Sequence, residues 1–340
     1  MNICIIGGGN LGHVCAGFLA AQPGTTVTML SGRPAEWGET IAVADPDGCT
    51  LHGRLAAVSN DAATLVPRAD LVLLCLPGFA LPETLRRIAP YLAESTAVGS
   101  VVSSTGFFFF ADELLPPATP LFGFQRVPFI ARTTRYGHSA DLKGYKPQLH
   151  LATRHAAQPE TLRATLETLF RTPVGLLGSW YEAALTNSNP LLHPARLYDL
   201  WHNWHEGETT PRPPLFYEEW TDAAARLYIG MDEEFQQLLR RLGVAPSAVP
   251  PVTDYYDSPT PAALAAKLRA IPAFKGIEAP VRNVAPAGTP PRYAPDFGSR
   301  YFTEDFPYGL RFVCETAARH NVSTPLLDRV YRWGTACLAR

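Results

Sequence analysis

The chain has 340 residues, 46% of them hydrophobic and 18% charged, with a formal net charge of -2. That length exceeds what one hydrophobic core usually covers, so two domains are expected, and the near-neutral charge argues against a general grip on nucleic acid or an anionic membrane. No apolar run reaches the roughly 18 to 20 residues that span a bilayer, and no basic stretch opens the chain as in a signal peptide.

In chain order, residues 2–7 (NICIIG) read as a short buried strand and residues 11–22 (LGHVCAGFLAAQ) as a helix. Residues 25–31 (TTVTMLS) form a second, β-branched strand that the Gly32 to Pro34 break ends. The apolar run ADLVLLCLP, residues 69–77, suits a parallel strand buried on both faces. LPETLRRIAPYL then carries helical spacing, and residues 95–106 read as strand and loop. The alternation predicts an α/β domain over residues 1–179, a Rossmann-type doubly wound parallel sheet with crossover helices.

From residue 180 helical segments dominate: residues 181–189, residues 221–243, TPAALAAKLRAI, GLRFVCETAARHN and TPLLDRVYRWGTACLA. Eleven of the 32 prolines lie between Pro246 and Pro295, so that stretch reads as loop around short helices. Residues 180–340 are therefore expected to form a mostly α-helical domain, with the active site in the cleft between the two. Six cysteines (Cys4, Cys15, Cys49, Cys75, Cys314, Cys337) follow no metal-ligand spacing, which fits reduced, buried thiols in a cytoplasmic protein.

Gly7, Gly9 and Gly12 satisfy G-x-G-x-x-G between a strand and a helix. This is the setting in which glycines allow a tight turn and close backbone approach to a pyrophosphate, and the helix N-terminus offers free N–H groups. Gly7, Gly9, Asn10, Leu11 and Gly12 are therefore candidate dinucleotide contacts, and Cys75, Leu76 and Pro77, ending a central strand, are expected along the cofactor's ribose. An NAD site places an acid after the second strand. Here LSGRP occupies that place, so Ser31 and Arg33 are read as holding a 2′-phosphate, favouring NADP while leaving NAD open. The competing reading makes Arg33 a solvated loop residue.

Three stretches, GGGNLGH, NSNPLLHPARLY (residues 187–198) and SRYFTEDFPYGL (residues 299–310), resemble the opine dehydrogenase family, in particular the octopine/nopaline dehydrogenase-like proteins. They touch both expected domains in order. The resemblance implies reductive condensation of an amino acid with a 2-oxo acid, using NAD(P)H, to give an N-(carboxyalkyl) amino acid. By that similarity His193 is the acid/base, Asp305 the carboxylate that orients it, Arg300 the anchor of a substrate carboxylate, and Asn189 a substrate contact. The chain is short for the family, so elements that shape the amino-acid pocket are expected to be reduced.

The chemistry suits these residue types. Imine formation moves protons near neutral pH, where histidine titrates, an aspartate fixes its tautomer, and arginine's planar fork matches a carboxylate. Set against this, His193 before Pro194 reads equally as a helix-start residue, and Asp305 as a helix cap. Gln125 and Arg126, in GFQRVPFIART, are candidate substrate contacts on a cleft wall, or else part of a hairpin edge facing water. The FFFF run at residues 107–110 reads as core or an interdomain plug. His202 and His205 are three apart, but no third ligand is evident, so no metal is expected. The other readings are a ketopantoate-reductase-like 2-oxo acid reductase, which would rely on a lysine of the helical domain, and a non-catalytic NADP(H)-binding sensor. The expected partners are small molecules, with neither nucleic acid nor membrane, and a homodimer is left open.

Overall fold

A computed structural model describes residues 1–339, and the chain divides into two compact units, Met1–Thr186 and Asn187–Arg340. The first unit opens with β1 (Asn2–Ile6), α1 (Asn10–Ala20), β2 (Thr26–Leu30), β3 (Thr40–Ala44), β4 (Thr50–Arg54) and β5 (Ala57–Ser59). There follow α2 (Ala62–Leu65), β6 (Leu71–Leu74), α3 (Leu81–Ile88), β7 (Ala97–Ser100), α4 (Phe107–Leu114) and β8 (Leu121–Phe124). It closes with β9 (Phe129–Arg135), β10 (Ser139–Tyr145), β11 (Leu149–Arg154), α5 (Pro159–Phe170), β12 (Val174–Leu176) and α6 (Trp180–Ala184).

Eight strands form one sheet in the order β12-β11-β8-β7-β6-β1-β2-β5. β5, β2, β1, β6, β7 and β8 run parallel, and β11 joins β8 antiparallel. Leu71 to Leu74 of β6 are buried without interruption, the signature of a strand covered on both faces. A second sheet, β4-β3-β10-β9, was not foreseen from the sequence. It explains why α1 is apolar on every side: Gly12 to Leu19 are all buried, between the main sheet and this second one. Gly17 has no room for a side chain because Val43 and the Ile41 backbone stand against it.

Phe107 to Phe110 are buried, and the rings of Phe108 and Phe109 meet Trp180 at 5.4 and 5.1 Å. These contacts hold α6 on the first unit, which runs to Thr186. All six cysteines are free; Cys4, Cys15, Cys314 and Cys337 are buried, Cys75 is half-buried and Cys49 is exposed.

The second unit contains α7 (Asn189–Trp201), α8 (Asp222–Arg241), α9 (Val252–Tyr255) and α10 (Pro261–Ala270). An antiparallel pair, β13 (Val281–Asn283) and β14 (Tyr293–Pro295), precedes α11 (Arg300–Thr303), a single π-helical turn Phe306–Leu310, α12 (Arg311–Arg319) and α13 (Pro325–Leu338). The helical reading of residues 181–189 is interrupted: α6 ends at Ala184 and α7 begins at Asn189. α8 is central, packed against α7, α10 and α13. Thr221 caps its N-terminus by accepting from the Ala224 N–H at 2.9 Å. Buried Glu234 on α8 accepts from the Leu326 and Leu327 N–H groups, placing a carboxylate at the positive end of α13.

Arg196 on α7 is 1% exposed and is held by Asp199 at 2.8 Å and by the Phe216 carbonyl at 2.9 Å. Asp199→Ala leaves that charge buried without its counter-ion, which typically costs about 3 kcal/mol or more. The expected result is an earlier denaturant midpoint with an unchanged slope; an unchanged midpoint would mean that the backbone carbonyls alone suffice for Arg196.

Candidate active site

The glycine turn runs from β1 into α1. Gly7 lies in the left-handed region at φ 117°, and a Cβ there would overlap the Cys75 carbonyl. A Cβ on Gly12 would overlap the Gly7 carbonyl, so this glycine lets α1 start hard against the turn. Gly9 differs: a Cβ there meets nothing within 4 Å. It borders a cavity of about 440 Å³ also lined by Asn10, Leu11, Cys75, Leu76 and Pro77. A nucleotide pyrophosphate fits this arrangement, because the open side of Gly9 lies at the first N–H groups of α1.

The turn is tied down from two sides. Asn10 Oδ1 accepts from the Thr133 N–H at 2.9 Å, so its side chain ties the helix start to β9. His13, fully buried, binds the Gly9 carbonyl through Nδ1 at 2.9 Å and accepts from the Gly137 N–H at Nε2, 2.7 Å. Donating at one nitrogen and accepting at the other, the ring is neutral, and burial lowers its pKa accordingly.

At the end of β2, Ser31 Oγ accepts from Trp37 Nε1 at 3.0 Å and from the Arg33 N–H at 3.2 Å. Both lone pairs are engaged, so Ser31 has only its hydroxyl proton to offer a ligand. The Arg33 guanidinium lies 3.8 Å over the Tyr136 ring, with Nη1 3.2 Å from Glu36 and more than half the side chain exposed. Gln125 Nε2 is directed at the Glu182 carbonyl and Thr186 Oγ1, at 3.4 and 3.3 Å. Arg126 is exposed. The arginine that lines the cavity beside β9 is Arg132, which the sequence does not single out.

In the second unit, the first turn of α7 and the π-helical turn meet closely, because Gly309 has no side chain to strike Pro190. That contact brings together two residues 112 apart in sequence: His193 Nδ1 lies 2.8 Å from Asp305 Oδ2. Asp305 makes no cap bond to the turn it precedes, so its carboxylate is spent on the histidine. The other ring nitrogen, Nε2, is 2.9 Å from the hydroxyl of Tyr217, and the Tyr301 ring lies 4.7 Å away centre to centre. Both side chains of the His–Asp pair are largely covered, at 12% and 16% exposure. An aspartate on Nδ1 fixes the tautomer and stabilises the charged ring, the arrangement of a general acid/base. Tyr217 lies in the segment FYEEW, which the sequence does not single out.

Arg300 is 83% exposed, and its Nε and Nη2 are bonded to the two oxygens of Glu304, at 3.0 and 2.9 Å. That bidentate contact pushes its pKa further up and fills one edge of the fork, leaving the Nη1 side for another carboxylate. Asn189, at the start of α7, is exposed. His202 stacks on Tyr198 beyond the end of α7, and exposed His205 lies near Glu208, so the two histidines share no helix face. Lys267 and Lys275, the lysines of this unit, are exposed. Among the described residues no helix is long and apolar enough to cross a membrane.

Residues 176–338 match the family model described as NAD/NADP octopine/nopaline dehydrogenase, alpha-helical domain, and residues 3–104 match that for ketopantoate reductase PanE/ApbA. An uncharacterized protein of Sinorhizobium fredii is 31% identical, covering 98% of this chain and 94% of its own length. The octopine dehydrogenase of Pecten maximus is 26% identical over 98% of this chain and 89% of its own. Among solved structures, octopine dehydrogenase with NADH and L-arginine superposes with a TM-score of 0.83 at 25% identity, over all of this chain and 90% of that one. Yersinopine dehydrogenase with NADP+ shares the fold, with a TM-score of 0.71 at 16% identity, covering 100% of this chain and 91% of its own.

Proposed function

Since the chain belongs to the octopine/nopaline dehydrogenase family of NAD(P)-dependent oxidoreductases, we propose that it condenses an amino acid with a 2-oxo acid and reduces the resulting imine. The product is a secondary amine, an N-(carboxyalkyl) amino acid. The observation that carries this reading is the His193–Asp305 pair, largely covered in the unit that matches the dehydrogenase family's helical domain. Condensation needs a group that donates a proton as the carbinolamine loses water, and a histidine oriented by a carboxylate does this near neutral pH. Arg300 is the candidate anchor for a substrate carboxylate, exchanging its contact with Glu304 or using its other edge. When bound, the reduced nicotinamide supplies the hydride for the C=N bond.

Incubating the protein with reduced cofactor, an amino acid and a 2-oxo acid tests the reading directly. The expected product has the summed mass of both substrates less one oxygen atom, and formation of the hydroxy acid alone would overturn condensation.

NADP is the proposed cofactor of choice. The support is Arg33, exposed at the end of β2 with its guanidinium stacked on Tyr136, where an NAD site has an acid. Arg33→Ala should weaken NADPH by about tenfold or more, the worth of a charge-assisted hydrogen bond, and NADH much less. Equal losses for the two cofactors, read by fluorescence titration, would remove the basis for the preference.

A further inference from the structure

We propose that Arg132 clamps the cofactor's pyrophosphate; this rests on the dinucleotide reading of the glycine turn and not on condensation. Among the described residues that line the cavity at that turn, Arg132 alone carries a charge. The other side chains there are apolar, apart from Asn10, which is committed to Thr133, and the half-buried thiol of Cys75.

Helix α1 does not match a pyrophosphate by itself. Its first turn has no charged side chain and buried His13 is neutral, so it offers N–H groups and a dipole worth about half an elementary charge. The pyrophosphate of a dinucleotide is doubly negative. The deficit calls for a cation in the cavity that the open side of Gly9 borders.

Strand β9 delivers one. Phe129 and Ala131 are buried, with the Phe129 ring 5.0 Å from that of Phe18 on α1, so the alternation of a strand turns Ile130 and Arg132 the other way. Both are exposed and both line the cavity. The strand is fixed along the helix. The Thr133 N–H is bonded to Asn10 Oδ1 at 2.9 Å, and the Gly137 N–H to His13 Nε2 at 2.7 Å. Arg132, next to Thr133, is thereby rooted at the start of α1.

Its guanidinium is also available. Nη1 reaches the carbonyl of its neighbour Ala131 at 3.3 Å, and no carboxylate among the described residues pairs with it. Arg33, by contrast, already holds Glu36. The planar fork of Arg132 suits two phosphate oxygens at once, which a lysine's point charge does not. A substrate carboxylate is the other anion that such a fork takes. The helix N-terminus and the open glycine border the same cavity, and they favour phosphate.

Arg132→Met keeps a long side chain and removes the charge. Binding of NADH, NADPH and ADP-ribose, which has the pyrophosphate but no nicotinamide, would be measured by titration calorimetry. Affinity for all three should fall alike, by about 10- to 100-fold, the worth of charge-assisted hydrogen bonds, with the melting temperature held. Unchanged affinity for ADP-ribose overturns the proposal, and a raised KM for the 2-oxo acid alongside would give Arg132 to a carboxylate instead. A loss confined to NADPH also overturns it, because the 2′-phosphate is then the partner. Should Arg132→Met fold poorly, phenylglyoxal labelling of the wild-type protein decides. ADP-ribose must shield Arg132, as located by peptide fragmentation, and labelling at the unshielded rate contradicts the clamp. Reduction of the oxo acid alone would defeat condensation and leave these binding results standing. A wild-type protein that binds none of the three ligands defeats the dinucleotide reading and the clamp together.

Discussion

Replacing His193 with alanine should lower reductive condensation by about 10²- to 10⁴-fold, the range that a positioned acid/base supplies, while the affinity for reduced cofactor stays near the wild-type value. The separation of effects follows from the fold. His193 is carried by α7 and held by Asp305 and Tyr217, all within the second unit, whereas the glycine turn and its cavity are built from the first. Asp305→Asn is the sharper companion variant. An amide can donate to Nδ1 and reverse the tautomer, so activity should fall although packing is preserved. If His193→Ala instead loses cofactor binding and keeps the rate of bound enzyme, the residue is structural and the site lies elsewhere.

The second large effect concerns the glycine turn and separates a phosphate floor from a mere tight turn. Gly12→Ala forces a methyl group into the Gly7 carbonyl, so α1 must shift. Overpacking of this kind costs about 1–3 kcal/mol or more, and dinucleotide binding should be lost with it. Gly9→Ala is the decisive contrast. Its φ of -84° accepts any residue and its Cβ meets nothing within 4 Å, so the melting temperature should hold. The methyl group occupies the side from which a pyrophosphate approaches, so cofactor affinity should fall steeply. Unchanged affinity in a well-folded Gly9→Ala would mean that no phosphate lies there.

These contrasts also show which parts of the molecule can be read from sequence. β1 and β6 are legible because parallel strands covered on both faces are continuous apolar runs, β2 because it is rich in β-branched residues, and α1 because a helix follows a glycine turn. The second sheet is not legible. β3 pairs with β10, nearly a hundred residues further on, and β9 alternates buried and exposed side chains like any surface strand. Local periodicity carries no trace of such a pairing. The same holds at the site: His193 and Asp305 lie in separate segments, and nothing but a likeness to a known family joins them in the sequence. Tyr217 carries no signal of its own, since one tyrosine among Phe216, Trp220 and Phe274 looks like packing until its hydroxyl is seen on the imidazole. Arg300 shows the converse. The family resemblance gives it a role, but only the structure reveals that Glu304 already occupies part of its fork.

The central claim is that one turnover consumes an amine and a 2-oxo acid together. It is tested most directly by following the absorbance of reduced nicotinamide with the purified protein and 2-oxo acids such as pyruvate, 2-oxoglutarate and glyoxylate, each with and without a panel of L-amino acids. The account predicts oxidation of the cofactor only when both substrates are present, at a rate that saturates in each. Oxidation at the same rate with the 2-oxo acid alone would contradict it and make the protein a simple 2-oxo acid reductase.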